Sequence, residues 1–79
     1  MTTGWHRLRG TTERYLMLEG TGRVEIEEAA PRMVGPGDVV RIAPMCRQRI
    51  TNVGETDLIF LALCTPRFRQ ACYEDVEKP

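Results

Sequence analysis

The sequence lacks the features that mark nucleic-acid-binding proteins and membrane proteins. Its 79 residues carry no formal net charge, because 11 basic side chains balance 11 acidic ones, and Lys78 is the only lysine. A balanced total argues against a general nucleic-acid or membrane-surface binder. No segment approaches the ~20 consecutive apolar residues that span a membrane, and residues 1–10 contain no apolar run typical of a signal peptide. The sequence therefore predicts no nucleic-acid partner and no membrane partner.

A disulfide framework is also missing. The three cysteines, Cys46, Cys64 and Cys72, are odd in number and widely spaced, and no C-x-x-C pair suggests a zinc site. Disulfides are rare in the reducing cytosol and dense in small secreted domains. We therefore expect reduced thiols in a cytoplasmic protein.

The chain is long enough for one small domain. A chain of this size hides only about 60% of the surface that its unfolded form exposes. Its core must be thin, and a second subunit that covers one face would stabilise it considerably. We therefore expect a homodimer.

Short apolar runs separated by turn signals predict an all-β fold. The clusters "EGTG" at 19–22, "VGPGD" at 34–38 and "NVGETD" at 52–57 are typical of turns. The runs between the turn signals are rich in β-branched and apolar residues and lie at 15–18, 23–27, 39–42, 48–51 and 58–64. Regularly spaced strands joined by turns indicate a β-sandwich or a β-barrel.

Residues 67–79 differ in composition from the rest and are predicted to form a C-terminal tail behind a barrel of residues 1–66. The segment "RFRQACYEDVEKP" is charged, and it could form a helical turn or lie as an extended arm. Phe68 and Tyr73 are its expected anchors on the barrel. Disorder is expected past Val76, because chain ends are ordered only where they are tied down.

Alternation in the first two strands places a glutamate among apolar side chains. Alternate residues of a strand share a face, so Glu13, Tyr15 and Met17 point the same way, as do His6 and Leu8. An ionised carboxylate must be paired, coordinated or exposed at a cavity mouth, because burying it alone is costly. A histidine near a carboxylate suits proton transfer, metal ligation or a structural hydrogen bond. The residues alone leave these three roles open.

The neighbouring residues leave two interpretations open as well. Gln48 begins a predicted strand, where it either binds a ligand or satisfies His6 or a backbone group across the barrel. Four further side chains either line an apolar cavity or simply pack the core, and these are Tyr15, Met17, Ile50 and Phe60.

The spacing of the first polar residues matches a known motif. His6-x-Leu8 is followed after four residues by Glu13 and after six more by Gly20. This pattern resembles the first cupin motif, which reads His-x-His, three or four residues, Glu, six residues, Gly.

A second stretch, which begins after a gap of 16 residues, resembles the second cupin motif. Gly37 is followed after five residues by "APM" at 43–45, after two more by Gln48 and after three more by Asn52. The family motif reads Gly, five residues, Pro-x-Gly, two residues, His, three residues, Asn. The resemblance covers roughly residues 5–66 and is to small single-domain bacterial cupins. It implies a cupin-type double-stranded β-helix, which is a jelly-roll barrel of antiparallel strands.

The start of the chain departs from that pattern. Small cupins usually have one or two strands ahead of the first histidine, whereas residues 1–5 precede His6 here. The resemblance therefore implies a barrel that is short at its N-terminus. An uncovered sheet edge invites aggregation, which is a second reason to expect a homodimer.

The metal ligands of the family are also incomplete. In metal-binding cupins three histidines and one glutamate hold a divalent ion inside the barrel, and by position these ligands fall on His6, Leu8, Glu13 and Gln48. Leucine cannot ligate, and a glutamine amide oxygen is a poor ligand for the metals that imidazole prefers. The resemblance implies at most a sparse divalent-ion site of His6, Glu13 and Gln48, with water completing the shell.

Cupins include isomerases, dioxygenases, sugar-modifying enzymes, sensors and storage proteins, so the fold does not decide whether this chain is an enzyme. The leading hypothesis is a metal-poor or metal-free cupin that binds a small organic ligand through His6, Glu13, Tyr15, Met17 and Gln48. The first alternative is a metal-dependent isomerase or lyase that uses His6, Glu13 and Gln48. The second alternative is a structural or interaction module whose own side chains fill the pocket.

Overall fold

The computed structural model describes residues 2–27 and 29–76. These residues form eight strands, which are β1 (His6–Leu8), β2 (Thr12–Glu19), β3 (Gly22–Ile26), β4 (Arg32–Val34), β5 (Val39–Ile42), β6 (Gln48–Asn52), β7 (Ile59–Thr65) and β8 (Tyr73–Asp75). A short 3₁₀ helix at Gln70–Cys72 is the one helical element in this part of the chain. The prediction of an all-β fold is confirmed.

The strands form two antiparallel sheets. The larger sheet has five strands in the order β4-β3-β6-β1-β8, and the smaller sheet has three strands in the order β5-β2-β7. The chain crosses repeatedly from one sheet to the other, since β1 lies in the larger sheet, β2 in the smaller and β3 in the larger again. The inner faces of the two sheets therefore enclose one common interior.

Alternation along the strands places the core between the sheets. In β2 the inward residues Glu13, Tyr15 and Met17 are buried, while Arg14 and Leu16 between them are partly exposed. Strand β6 follows the same rule. The core cluster consists of buried apolar side chains from both sheets, namely Tyr15, Met17, Val24, Val34, Ile42 and Ile50. The period of two in the sequence thus sets the inside and the outside of the barrel.

The five predicted strands are all present, with bounds that differ by up to three residues, as in β2, which begins at Thr12 rather than at 15. Strand β1 is the strand expected to hold His6 and Leu8, whereas the two remaining strands, β4 and β8, were not predicted. The predicted tail contributes the 3₁₀ helix and β8, and β8 pairs with β1 in the register Leu8↔Tyr73 and His6↔Asp75. Both conformations expected for the tail are therefore present. The expected disorder past Val76 concerns residues 77–79, which lie outside the described residues.

The turn between β2 and β3 requires a glycine. Gly20 has a φ of +87°, and a Cβ there would lie 2.9 Å from the Cα of Leu58 and closer still to the carbonyl oxygen of Asp57. Nearby, the Asn52 side chain donates to the carbonyl oxygen of Thr56 and accepts from the backbone N–H of Gly54, both at 3.0 Å. Gly20 therefore allows the turn after β2 to approach the turn after β6, and Asn52 stabilises that second turn from within.

Within the described residues no helix is long and apolar enough to cross a membrane.

Candidate functional site

A chain of hydrogen bonds joins three buried polar side chains across the interior. The Tyr15 hydroxyl donates to the Gln48 amide oxygen at 2.5 Å, and the Gln48 amide nitrogen donates to Glu13 Oε1 at 2.9 Å. The three residues are 3%, 1% and 8% exposed, respectively. The sequence predicted that Glu13 needs a partner, and the partner is the amide of Gln48, which lies on the facing sheet.

Burial shapes the chemistry of this chain. Removal of the Tyr15 hydroxyl from water raises its pKa well above the usual range, and the nearby Glu13 carboxylate raises it further. The phenol is therefore a hydrogen-bond donor at neutral pH. The Cys64 thiol, whose residue lies opposite Glu13 in the sheet, also has a raised pKa because of burial and the same carboxylate. This thiol is protonated and unreactive at neutral pH.

His6 lies at the margin of the interior and has other partners. Its Nδ1 atom is 2.8 Å from the carbonyl oxygen of Gly4, and its ring stacks on Tyr73 with centroids 5.3 Å apart. Gln48 is the cross-strand neighbour of His6 in the larger sheet, yet the amide of Gln48 bonds to Glu13 and Tyr15. The structure thus brings Glu13, Tyr15 and Gln48 together by hydrogen bonds and leaves His6 outside that chain.

The positions that hold the metal ligands in the family carry an incomplete donor set here. Leu8, at the position of a family histidine, is buried and fills its place with an aliphatic side chain. The Gln48 oxygen, which would be the ligand, already accepts the Tyr15 hydroxyl. Across residues 2–27 and 29–76 no group of three or more His, Cys, Asp or Glu side chains could hold a metal ion.

Apolar side chains pack the interior, and its buried polar atoms have hydrogen-bond partners. Met17, a predicted ligand contact, is 1% exposed and belongs to the apolar core cluster. Among the described residues no buried side-chain nitrogen or oxygen lacks a hydrogen-bond partner.

A pocket of about 300 Å³ opens at the Ile59 end of β7, away from Glu13 and beside the turns that contain Gly20 and Asn52. Its walls are mostly apolar, and its lining consists of Thr3, Ile50, Asn52, Asp57, Leu58, Ile59 and Phe60. The Phe60 ring packs on Tyr15 with centroids 4.7 Å apart. Phe60 and Ile50 therefore separate the pocket from the buried polar chain.

Two of the residues that line this pocket were predicted from the sequence. Ile50 and Phe60 are among the residues expected to line a cavity or pack the core, and the alternation of their strands is the signal. Asp57 and Leu58 lie in or directly after the segment "NVGETD", which indicates a turn and gives no sign of a site. Asn52, which closes the second motif at the end of β6, is the one signal that points to this end of the barrel.

A second pocket, of about 520 Å³, lies on the other side of the barrel between β5 and the pair β3 and β4. Its floor is apolar, with Val24, Ile26 and Val34 among the residues, and its rim carries Arg32, Asp38 and Arg41. The carboxylate of Asp38 accepts the backbone N–H of Gly35 at 2.8 Å and so stabilises the turn before β5. This pocket is wider and more charged than the one beside Phe60.

Comparison with known proteins identifies the fold. No family model matches the chain, and no curated protein is significantly similar to it. Two crystal structures of the capsular polysaccharide assembling protein CapF from Staphylococcus aureus superpose with TM-scores of 0.80 at 21% and 22% sequence identity. CapF with the inhibitor 3-isopropenyl-tropolone superposes with a TM-score of 0.79 at 21% identity.

Each match covers 98% of this chain and 24% or 25% of the CapF chain, so the chain spans about a quarter of the length of that protein. At this level of identity the likeness concerns the fold alone. CapF has a cupin fold, and the two antiparallel sheets described above agree with it. The chain therefore has an all-β fold of the cupin type, as the sequence motifs predicted.

Proposed function

We propose that this chain is a cupin-type binding module that takes a small, largely apolar organic molecule, without a metal ion, in the pocket beside Phe60. The observation that carries the proposal is the pocket itself, whose volume of about 300 Å³ is at the lower end of the range for small-molecule sites. Its floor, formed by Ile50 and Phe60, is continuous with the core. A rigid apolar floor with a few polar groups at the rim is the usual design of a ligand site.

Asp57 gives the pocket a preference for one kind of ligand. Asp57 lines the pocket and is exposed, so a carboxylate at this position can accept a hydrogen bond from an amine or a hydroxyl group of a ligand. An anionic ligand would meet a like charge there. The proposed ligand is therefore a small aromatic or aliphatic molecule that carries an amine or a hydroxyl group.

The buried polar chain supports the metal-free form of this hypothesis. Turning the Gln48 amide towards a metal ion would disturb its hydrogen bonds to Tyr15 and Glu13, and losing a buried hydrogen bond costs about 1–3 kcal/mol. The gain from one carboxylate and one weakly ligating amide oxygen would have to exceed that cost. In this proposal Glu13, Tyr15 and Gln48 hold the two sheets together, and the ligand contacts Ile50, Phe60 and the rim.

The test is binding of small amines and small carboxylic acids that share the same ring, followed by amide chemical shifts in nuclear magnetic resonance spectra. We expect the amines to shift the signals of Ile50 and of residues 58–60, and the acids to shift them at least about tenfold more weakly, since a charge contact of ~1.4 kcal/mol changes affinity by that factor. Asp57→Asn should remove the preference.

Glu55→Gln is the matched control, because Glu55 belongs to the same turn and does not line the pocket. It should leave the preference for amines unchanged. Shifts that map to Glu13 and Gln48, or an equal loss of preference in both variants, would contradict the proposal. No binding by any compound would favour the interaction module instead.

A further inference from the structure

The four edge strands of the two sheets differ in how they are protected against pairing with another chain. An exposed edge presents unpaired N–H and C=O groups, and natural proteins protect it with short length, charge or proline. Strands β4 and β8 have three residues each and carry charged side chains, as in Arg32 and Glu74. Strand β5 has four residues and carries Arg41. Strand β7 has seven residues, "IFLALCT", with no charge and no proline.

Side chains along β7 are exposed as well as its backbone edge. On the outer face Ile59, Leu61 and Leu63 are 43%, 47% and 50% exposed. On the inner face Ala62 is exposed, and Phe60 is partly exposed. Strand β7 pairs along one side with β2, from Thr12↔Thr65 to Glu19↔Ile59. In the part of the chain that the structure describes, no strand pairs with its other side.

From these observations we infer that β7 is a self-association edge, at which two copies of this chain pair their β7 strands in antiparallel orientation about a two-fold axis. The two smaller sheets then form one six-stranded sheet, in the order β5-β2-β7-β7-β2-β5. Each β7 strand gains main-chain hydrogen bonds for its free edge. Leu61 and Leu63 of the two copies lie together on the outer face of the joined sheet.

The composition of β7 favours a second copy as the occupant of this edge. In a two-fold contact the same residues from both partners meet near the axis, so a strand with charges would place like charges opposite each other. Like charges directly opposite in a sheet are destabilising, whereas β-branched and other apolar pairs are stabilising. A strand of seven uncharged residues is therefore complementary to itself. The inference is independent of the pocket and of any ligand.

Two lysine substitutions on the outer face of the same sheet test the inference. Leu61→Lys places a positive charge on β7. Because both copies carry it, the two-fold contact would contain two like charges. Val39→Lys is the matched control, because Val39 lies on the same face as Leu61, across Leu16, but on the opposite edge strand, and it is 62% exposed. The mass in solution is measured by analytical ultracentrifugation over a series of chain concentrations.

We expect a dimer for the wild type and for Val39→Lys, and a dissociation constant raised more than about tenfold for Leu61→Lys. A wild-type monomer at all concentrations would overturn the inference. Dissociation of both variants would also overturn it, because that result would mean contact through the sheet face rather than through the edge. An unchanged dimer for Leu61→Lys would overturn it too.

Amide hydrogen exchange of the wild type provides a measurement that does not depend on the variants. Dilution through the dissociation range should accelerate exchange of those amides in residues 60–64 that point away from β2, and it should leave the central amides of β2 unchanged, because β2 is paired on both sides within one chain. Equal exchange of β7 before and after dilution would overturn the inference. Circular dichroism of both lysine variants verifies that they are folded.

Discussion

At the scale of single residues, Tyr15 is the donor on which the buried polar chain depends. Without its hydroxyl the Gln48 oxygen loses the bond at 2.5 Å, and a buried acceptor left without a partner costs about 1–3 kcal/mol. We therefore expect Tyr15→Phe to lower the free energy of unfolding by about that amount in urea denaturation. Tyr73→Phe, at a position that is 41% exposed, should change it by less. Equal effects of the two variants would contradict the role given to Tyr15.

The raised pKa of Tyr15 predicts a loss of stability at alkaline pH. Burial keeps the phenol neutral in the folded state to higher pH than in the unfolded chain, where tyrosine ionises near pH ~10. Below that pH both states hold the proton, so the stabilisation is fully present. Above it the unfolded state releases the proton first, and the free energy of unfolding falls by up to about 1.4 kcal/mol per pH unit. Denaturation midpoints of the wild type should therefore fall more steeply above pH ~10 than those of Tyr15→Phe, and parallel curves would refute this.

The same hydrogen bonds predict how the protein responds to metal ions. A ligand that binds the folded state raises the unfolding midpoint by mass action. Because the Gln48 amide is already bonded to Tyr15 and Glu13, we expect zinc, nickel or manganese to leave the thermal midpoint unchanged. Calorimetry with and without a chelator measures this. A rise in the midpoint that disappears in Glu13→Gln would show a metal site at Glu13 and would contradict the metal-free form of the proposal.

At the scale of elements, a comparison of two glycines with positive φ distinguishes the energetic cost of a left-handed backbone from the cost of a steric clash. Gly10 has a φ of +68°, and a Cβ added there would have no atom within 4 Å, whereas Gly20 has a φ of +87° and faces the backbone of Asp57 and Leu58. Gly10→Ala should cost about 1–2 kcal/mol for the left-handed conformation alone. Gly20→Ala should cost about 1–3 kcal/mol more, because the backbone of the neighbouring turn must move. Equal losses in urea denaturation would mean that the two turns are not packed together.

The elements that sequence reasoning missed are those whose pairing is remote or whose pattern is short. Strand β4 has the sequence "RMV", and three residues are too few to show alternation. Strand β8 forms because Tyr73–Asp75 pairs with His6–Leu8 at the other end of the chain, which no local pattern encodes. The longer strands, such as β2 and β6, were predictable because a period of two repeats along each of them.

The candidate site was predictable to a similar extent. Burial of Glu13 and Gln48 followed from alternation and from the motif spacing, but the bond from Tyr15 to Gln48 depends on how two sheets meet. Asp57 was missed as a rim residue, because a turn segment reveals its neighbours only after the chain has folded. Contacts between sheets depend on tertiary structure, whereas the direction of a side chain within a strand follows from the local alternation of the sequence.

At the scale of the whole molecule, the ratio of buried to exposed apolar residues is low. The buried apolar core of the described residues consists of Leu8, Tyr15, Met17, Val24, Val34, Ile42 and Ile50. Large apolar side chains remain exposed over the same part of the chain, including Leu18, Leu61 and Leu63. Since chains of this size bury only about 60% of their unfolded surface, association is an effective way to add stability.

If the free edge of β7 pairs with a second copy, the stability of the fold must depend on chain concentration. Unfolding of a dimer produces two separate chains, so a higher concentration shifts the equilibrium towards the folded dimer and raises the unfolding midpoint. We expect the wild-type midpoint to rise with concentration in calorimetry, and the midpoint of Leu61→Lys to lie lower than that of the wild type at each concentration at which the wild type is dimeric. Val39→Lys should follow the wild type, because β5 takes no part in the contact. A wild-type midpoint that does not depend on concentration would mean that the thin core of one chain is sufficient, and that the edge of β7 is left unpaired.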